Sequence, residues 1–489
     1  MTPAAILLVA TLCAPLLQAL LAAALDRFAL ARDGLVCLVA LLGAGAGVAL
    51  TLHGASMNGS TLNMGTYGPG LSIVFLIEPL GSFMAGLIAS LGAAVTVFSV
   101  GFARATGQRD AARRQAAAAL SIAAALAAAL SGNLATMFVA IVALTVSSSA
   151  LVAVGAEGEA RRGALTYLGV MLAAAAGLLL PAIVTLHAVG DGATFTPGGV
   201  LNVNAPPLTV SVLLGLLVFG VAAAALAPMS AWVGASARAP APVGALLHGV
   251  AVTPVGAFMV LKATVYVFGG TLEREPIGAD VVLVACACSM LGLGLLALSK
   301  RDLRERLAYV CAAQAAGAVA AAMFASPAGV LAAMFQIYAL AGAAALAFMA
   351  AGVVRAATGR ASVEEAAGLG RVMPWTMAGF AIAVVSLVGL APFAGAWGKF
   401  WLIVASVDAE RAWYGVTAAV GAVVSFAALA VIAARAFSEP APVDPFTRPD
   451  GGSALMVVPI VVTAALLCAL VVMVDPINAY FAPIWEVVP

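Results

Sequence analysis

Five polar side chains stand in long apolar stretches of this 489-residue sequence and could take part in ion chemistry: Glu78, His248, Lys262, Gln314 and Lys399. A charge at the centre of a lipid bilayer costs roughly 2.5–3.5 kcal/mol on insertion scales, so such residues are retained for function. A nearby carboxylate stabilises a buried ammonium group, and opening or closing such a pair moves a proton. These residues are therefore the candidates for an ion pathway.

Each candidate also has a purely structural interpretation. Lys399 follows a Gly/Pro-rich interruption, where freed backbone carbonyls can hold an ion, but a lysine can also extend its ammonium to the membrane surface. Lys262 lies near the end of its apolar stretch, which favours this surface interpretation. Glu78 precedes a proline and could cap a helix or bind an ion. A hydrogen-bonding core role is favoured for His248, and Gln314 could supply one polar step of a water chain.

The sequence offers little for catalysis or for a metal. Six cysteines are scattered through apolar runs, at Cys13, Cys37, Cys286, Cys288, Cys311 and Cys468. Cys286 and Cys288 are two positions apart, which on a helix directs them about 200° from each other, a poor arrangement for a metal. Because free cysteine behaves as a small hydrophobe, all six are expected to pack. We predict no metal and no quinone, flavin or other cofactor in this chain, and the net charge of +1 gives no support to nucleic-acid binding.

The elements that position these side chains are predicted to be membrane helices. The chain is 64% hydrophobic and 9% charged, whereas a soluble domain carries about 25% charged residues. A span needs about twenty apolar residues. Fourteen spans are predicted, at residues 4–25, 34–52, 72–102, 115–131, 134–154, 163–188, 206–229, 243–269, 280–299, 303–325, 327–353, 374–407, 411–436 and 454–474.

Two of these spans need comment. The first has no basic segment before it and is long enough to cross a bilayer, so it is predicted to be a membrane helix and not a cleaved signal. The twelfth is too long for one straight helix and contains Gly389, Pro392 and Gly395. We expect it to be broken in the middle.

Basic residues alternate between the loops. The loops after odd-numbered spans carry 18 of the 22 lysines and arginines, including the cluster Arg104–Arg114, and those after even-numbered spans carry Arg274 and Arg411. Cytoplasmic loops are enriched in basic residues. This distribution predicts that both termini are extracytoplasmic. The expected location is a bacterial inner membrane.

A short motif occurs twice. Residues 226–232 and 390–397 each contain Leu-Ala-Pro followed by a tryptophan, in the seventh and twelfth spans. Paired interrupted helices in the two halves of a chain are typical of transporters that are built from inverted repeats.

Three stretches carry a resemblance to a known family. Residues 239–269 contain Ala-Pro-Ala-Pro-Val-Gly-Ala-Leu-Leu-His and, later, Lys-Ala-Thr-Val-Tyr-Val-Phe-Gly. Residues 302–309 read Asp-Leu-Arg-Glu-Arg-Leu-Ala-Tyr, and residues 389–399 read Gly-Leu-Ala-Pro-Phe-Ala-Gly-Ala-Trp-Gly-Lys. Together with the span count, they resemble the antiporter-like membrane subunits that are shared by Mrp cation/proton antiporters and complex I, most of all the Mrp D-type subunit.

The resemblance implies an all-α, polytopic fold of about fourteen helices, with two inverted five-helix repeats and broken seventh and twelfth helices. Its implied organisation is N-terminal helices 1–3 at residues 1–110, a first repeat at 111–270, a second repeat at 271–440 and a C-terminal helix at 441–489. It also implies a place in a multi-subunit complex, beside active antiporter-like subunits and the lipid bilayer.

The family's chemistry, as the resemblance implies it, rests on a row of ionisable side chains at mid-membrane depth. A glutamate on the fifth helix pairs with a lysine on the seventh, and further lysines or histidines lead to a lysine on the twelfth. Only Lys399 keeps its place in this sequence, and Gln314 stands where the family has His or Gln. The other places fall on uncharged residues: Val142, Ala223, Pro254, Leu340 and Ala344.

Three functions are compatible with this pattern. The chain could be a subunit of an Mrp-type antiporter, or of a related proton-pumping redox complex, whose own channel is degenerate and whose role is structural or path-shaping. It could instead translocate protons or sodium through Lys399, Gln314, His248 and water. A solitary secondary transporter is disfavoured, because the spans contain no cluster of polar side chains for a small molecule. No catalytic residue is predicted, and any redox chemistry would belong to partner subunits.

Overall fold

The computed structural model describes residues 2–54, 56–68, 71–189, 194–196, 198–201, 205–274, 276–359, 362–363, 366–440 and 453–485. Two of the 18 basic residues counted in the loops after odd-numbered spans, Arg360 and Arg448, lie outside these ranges. The helices, numbered in chain order, are α1 Pro3–Ala24, α2 Ala29–Gly54, α3 Pro79–Thr106, α4 Ala111–Ala129, α5 Leu134–Ala153, α6 Gly158–Val189, α7 Pro207–Gly220, α8 Ala231–Ser236, α9 Ala241–Phe268, α10 Thr271–Arg274, α11 Pro276–Leu298, α12 Leu303–Ala322, α13 Pro327–Thr358, α14 Leu369–Val372, α15 Pro374–Val388, α16 Ala394–Asp408, α17 Ala412–Ser438, α18 Ala454–Ala469, α19 Val474–Tyr480 and α20 Ala482–Trp485.

Nine helices within the described ranges are long and apolar enough to cross a bilayer. The pair α18 and α19, which meets at a bend of 76°, raises the number to ten if it counts as one span. Two shorter apolar helices, α7 and α15, belong to interrupted segments. The prediction of an all-α, polytopic membrane protein is therefore confirmed.

A two-stranded antiparallel hairpin before α3 was not predicted. Strand β1 covers Thr61–Gly68 and pairs with strand β2, Leu71–Leu76. The third predicted span, 72–102, therefore begins too early, since α3 starts at Pro79. Only Ile77 and Glu78 separate the apolar strand β2 from α3, and a short apolar run cannot be assigned to strand or helix from periodicity alone.

The helices α9 and α13 lie at the centre of the bundle. Their most apolar windows are completely buried within the chain, and α13 packs against α3, α9, α12, α15, α16 and α18. The outer helices α2 and α17 instead carry exposed apolar side chains such as Leu30 and Val423. An apolar outer surface of this kind fits a lipid environment.

Two membrane segments are interrupted. Helix α7 ends at Gly220 and α8 begins at Ala231, whereas α15 ends at Val388 and α16 begins at Ala394. The predicted break in the twelfth span is confirmed. Gly389 ends α15 with a φ of 90°, in the region that glycine adopts most readily, and a Cβ on Gly395 would lie 1.9 Å from Ser386 O. These two glycines let α16 begin close to the end of α15.

Candidate functional site

Lys262 forms a buried ion pair with Glu78. The side chain of Lys262 is fully buried, and its Nζ lies 3.2 Å from Glu78 Oε1. Nζ also donates to Ala129 O at 2.8 Å and to Ser131 O at 2.7 Å, at the carboxyl end of α4. The surface interpretation of Lys262 is therefore wrong, because α9 is enclosed by other helices and offers no interface for its ammonium to reach.

Glu78 has the helix-capping role that its sequence position suggested, and it also forms an ion pair with the ammonium of Lys262. Its carboxylate caps α3 by accepting from the amides of Leu80, at 2.8 Å, and Gly81, at 2.7 Å. The same carboxylate pairs with Lys262 and accepts a hydrogen bond from the Tyr266 hydroxyl at 2.7 Å. Tyr266 was not singled out in the sequence, although it lies four residues after Lys262, a spacing that places two side chains on the same helix face.

A second group of hydroxyls connects Glu78 to the C-terminal segment. Ser82 Oγ donates to the backbone carbonyl of Glu78 at 2.7 Å, and the Tyr480 hydroxyl lies 2.7 Å from Ser82 Oγ. The ring of Phe195 lies 5.4 Å from Lys262 Nζ, within the range of a cation–π interaction. The pair is thus enclosed by α3, α9, α19 and the loop before α7.

Lys399 lies in a different, uncharged environment on α16. Its partly exposed side chain donates from Nζ to Gln314 Oε1 at 2.8 Å and to Gln336 Oε1 at 3.3 Å. Gln314 in turn donates to Ser425 Oγ at 2.8 Å, and Gln336 donates to Gly317 O at 3.3 Å. Within the described residues, the polar contacts of this ammonium are therefore two neutral amide oxygens and no carboxylate.

Sequence analysis found Gln314 but missed Gln336. The sequence does mark Gln336 as a candidate, since it is a polar residue within the long apolar run of α13. Its proximity to Lys399 depends on how α13 packs against α16, and spacing along the chain does not reveal that contact.

Lys399 lines a cleft, here called the Lys399 cleft, together with Gly389, Leu390, Ile403 and Phe426 on the outer surface of the bundle. The cleft has a volume of about 380 Å³, and the rest of its lining is apolar. Leu390, Ile403 and Phe426 are all exposed. The cleft that Lys399 helps to line therefore opens towards the bilayer or a neighbouring protein.

The hydrogen bond and the ring contacts of His248 involve neither Lys262 nor Lys399. It is buried in a π-helical turn of α9, with Nδ1 3.0 Å from Thr253 Oγ1. Its ring stacks between Trp232, at a centroid distance of 5.6 Å, and Phe348, at 5.5 Å. This arrangement agrees with the favoured interpretation of His248 as a hydrogen-bonded core residue.

The positions at which the family has ionisable side chains, and this chain has uncharged ones, are buried or half-buried in the bundle. Ala223 lies in the 3-10 turn between α7 and α8 and is so close to α9 that a Cβ on Gly256 would meet its backbone at 2.3 Å. Trp232 Nε1 donates at 2.9 Å to Ala222 O, a carbonyl at this interruption. Leu340 and Ala344 are buried in α13, whereas Val142 is half-buried on α5.

Another ion network, which sequence analysis did not single out, ties α2, α3 and α4 together. The buried carboxylate of Asp33 accepts from Arg32, from Arg104 Nε at 2.9 Å and from Gln115 Nε2 at 3.2 Å. Every contact of this carboxylate goes to a basic or amide group near the helix ends. We interpret it as a clamp between neighbouring helices.

The described residues contain no group of three or more His, Cys, Asp or Glu side chains that could hold a metal ion. Their six cysteines are all free thiols. The chemistry that the described side chains offer is therefore that of ion pairs and hydrogen bonds.

Residues 131–425 match a family model described as NADH:quinone oxidoreductase/Mrp antiporter, transmembrane. A relative, NADH-quinone oxidoreductase subunit N of Desulforudis audaxviator, is 28% identical over 352 residues, which is 70% of this chain and 68% of the relative.

Two solved structures share the fold. A chain in the Mrp complex from Dietzia sp. superposes with a TM-score of 0.83 at 20% identity and covers 99% of this chain and 98% of its own length. A chain in the membrane-bound sulfane sulfur reductase, an archaeal respiratory membrane complex, gives a TM-score of 0.85 at 19% identity and covers 98% of both chains.

Proposed function

We propose that this chain, which belongs to the NADH:quinone oxidoreductase/Mrp antiporter transmembrane family, is a subunit whose own proton path is degenerate. Its host is an Mrp-type cation/proton antiporter or a related proton-pumping redox complex, and its role is structural or path-shaping. The observation that carries the proposal is the state of the two lysines. The ammonium of Lys262 contacts three oxygen atoms and is fully buried. The ammonium of Lys399 has only neutral amide oxygens as partners among the described residues of the chain.

Two ionisable side chains on which the family's proton path relies are absent from this chain. The family's glutamate and seventh-helix lysine have apolar replacements here, Val142 and Ala223. Of the five candidate residues, we assign Lys399, which donates to Gln314, to an ion pair at the edge of the subunit, and Glu78 and Lys262 to a fixed pair. His248 receives a packing role.

The role proposed for Lys399 is to pair with an acidic side chain of an adjacent subunit. Lys399 lines a cleft on the outer surface of the bundle, and the neutral partners of its ammonium within the chain leave the positive charge uncompensated. Withdrawing a charge from water without a counter-ion is costly, even where the side chain is only partly buried. A carboxylate from a neighbouring helix would remove that cost and hold the two subunits together.

A direct test is affinity purification of the tagged chain from its native membrane in mild detergent. The proposal expects stable co-purification with at least one other antiporter-like membrane subunit. Recovery of the chain alone, under conditions that keep other respiratory complexes intact, would contradict the proposal.

The finer architecture is also proposed. We infer fourteen spans, with helices 1–3 in residues 1–110, inverted repeats in 111–270 and 271–440, and a last helix in 441–489. The two interrupted segments, α7–α8 and α15–α16, support this division because they occupy corresponding places in the two repeats. The bacterial inner membrane is the proposed location, with both termini extracytoplasmic.

The topology can be measured by labelling single cysteines in a cysteine-free background. A cysteine at position 108 is expected on the side opposite a cysteine at position 487, a residue outside the described ranges, because cytoplasmic loops are enriched in basic residues. Position 410, in the loop between α16 and α17, serves as control and is expected on the side of position 487. Labelling of positions 108 and 487 from one side would show that the orientation is wrong.

The substitution Val142→Ile tests whether the fifth-helix position handles protons. It preserves apolar character at a half-buried site, and swaps of this kind usually cost less than about 1.5 kcal/mol. Ion transport by the host complex is therefore expected to stay near the wild-type rate in proteoliposomes. A large loss of transport in a normally assembled variant would count against a degenerate path.

One observation favours the alternative, an active translocating subunit. Lys399, Gln314 and Ser425 form a row of hydrogen-bonded polar groups across α16, α12 and α17. In an active subunit, water would continue this row and Gln314 would be indispensable. The two proposals thus differ in what they require of Gln314.

A further inference from the structure

The ammonium of Lys262 is surrounded by oxygen atoms from separate elements. Nζ lies 2.8 Å from Ala129 O, 2.7 Å from Ser131 O and 3.2 Å from Glu78 Oε1. Carbonyls at the carboxyl end of a helix carry partial negative charge. Carbonyl oxygens and half-helix ends are also the groups with which channels and transporters hold alkali cations. These surroundings are therefore those of a dehydrated monovalent cation.

We propose that Ala129 O, Ser131 O and Glu78 Oε1 form a cation cage, a binding site for a free alkali cation that Lys262 fills with its own ammonium. The ammonium and an alkali cation carry the same charge and use the same oxygen ligands. In the native chain the covalently attached ammonium of Lys262 occupies the cation cage, so no free cation binds there. Removal of the amine converts the cage into a site for a dissociable cation.

The cage oxygens are held in place by contacts that do not involve Lys262. Glu78 is oriented by the amides of Leu80 and Gly81 and by the Tyr266 hydroxyl. Ser131 is held to Ala128 through its amide, at 3.2 Å, and through its hydroxyl, at 2.8 Å. A preorganised set of ligands binds its ion more tightly than one that has to be assembled.

Gly81 keeps the cage open. A Cβ at this position would lie 2.6 Å from Ala129 O and 2.6 Å from Glu78 Oε1. Any larger residue would therefore enter the space between two of the three ligands. Gly81→Ala is a substitution that damages the cage while all its oxygens remain.

The proposal concerns a site inside this chain, so it does not depend on which complex contains it. It adds that one cation inside the bundle, the ammonium of Lys262, is covalently attached and cannot be exchanged.

The test uses the purified full-length chain in lipid nanodiscs. Thermal unfolding is followed in choline chloride and in the chlorides of Li⁺, Na⁺, K⁺ and Rb⁺. Lys262→Met keeps the apolar stem and vacates the position of Nζ, so at least one alkali cation is expected to raise its midpoint temperature by several degrees, with saturation. The wild-type chain is expected to unfold at the same temperature in all five salts.

Two further variants separate the cage from general salt effects. Adding Glu78→Gln or Gly81→Ala to Lys262→Met is expected to abolish the cation-dependent rise. A folded Lys262→Met variant that shows no difference between choline and any alkali cation overturns the proposal.

If Lys262→Met does not stay folded in choline, the monodisperse fraction after solubilisation is measured in each salt. Recovery in an alkali chloride supports the cage. Equal loss in all five salts, while the double variant Lys262→Met/Glu78→Gln remains monodisperse, overturns it.

Discussion

Replacing Lys262 with methionine in choline buffer is expected to lower the free energy of unfolding by about 3–5 kcal/mol, the usual cost of removing one partner from a buried ion pair. The change strands the carboxylate of Glu78, which is almost completely buried. It also leaves Ala129 O and Ser131 O without the hydrogen bonds that they accept. Reversible unfolding of the purified chain in mixed micelles measures the effect.

The same Lys→Met change at Lys300 provides the control. Lys300 lies 3.7 Å from Glu305 in a partly exposed pair, and such pairs contribute about 0–1 kcal/mol. The double variant Lys262→Met/Glu78→Gln is expected to be closer to wild type than Lys262→Met alone, since neither charge is then left without a partner. Equal and small losses for Lys262→Met and Lys300→Met would show that the buried pair does not hold the bundle.

The second large effect is expected for Lys399→Met in the assembled complex. The variant keeps the apolar stem of a side chain that lines the outward cleft and removes its amine. Truncation of one partner of a buried interfacial charge pair costs about 2–5 kcal/mol, so affinity for the adjacent subunit should fall by at least about thirtyfold. Quantitative co-purification at graded detergent concentrations measures the loss.

Ile403→Met is the matched control for this experiment. Ile403 lines the same cleft and is exposed, so the substitution introduces the same side chain without removing a charge. It is expected to leave co-purification unchanged. If Lys399→Met leaves both co-purification and transport intact, no partner carboxylate binds Lys399, and its ammonium is held only by Gln314 and Gln336.

The sequence allowed the membrane class, the break at Gly389 and the candidacy of Lys399 and Gln314 to be predicted. These features are local: apolar length, a Gly/Pro interruption, and a charge within an apolar stretch. They can be predicted without knowing which helices pack against each other.

The Glu78–Lys262 pair could not be predicted as a pair, because it depends on the packing of α3 against α9. In the sequence, 188 residues separate Glu78 from Tyr266, which binds the same carboxylate. Because Lys262 lies near the end of its span, the sequence favours an ammonium that reaches the membrane surface. Whether the side chain is buried, however, depends on the helices that pack around it. The hairpin at β1 and β2 was missed for a related reason, since strand pairing is a contact between segments.

The central claim is that this subunit does not carry ions through its own path, and Gln314→Leu tests it most directly. The substitution breaks the hydrogen bonds from Lys399 to Gln314 and from Gln314 to Ser425 while Lys399 remains. The measurement is pH-gradient-driven ion flux in proteoliposomes, divided by the amount of intact complex. We predict flux per complex close to wild type. A loss of about tenfold or more, equivalent to about 1.4 kcal/mol in the barrier, in a normally assembled complex would contradict the claim and show that the subunit conducts.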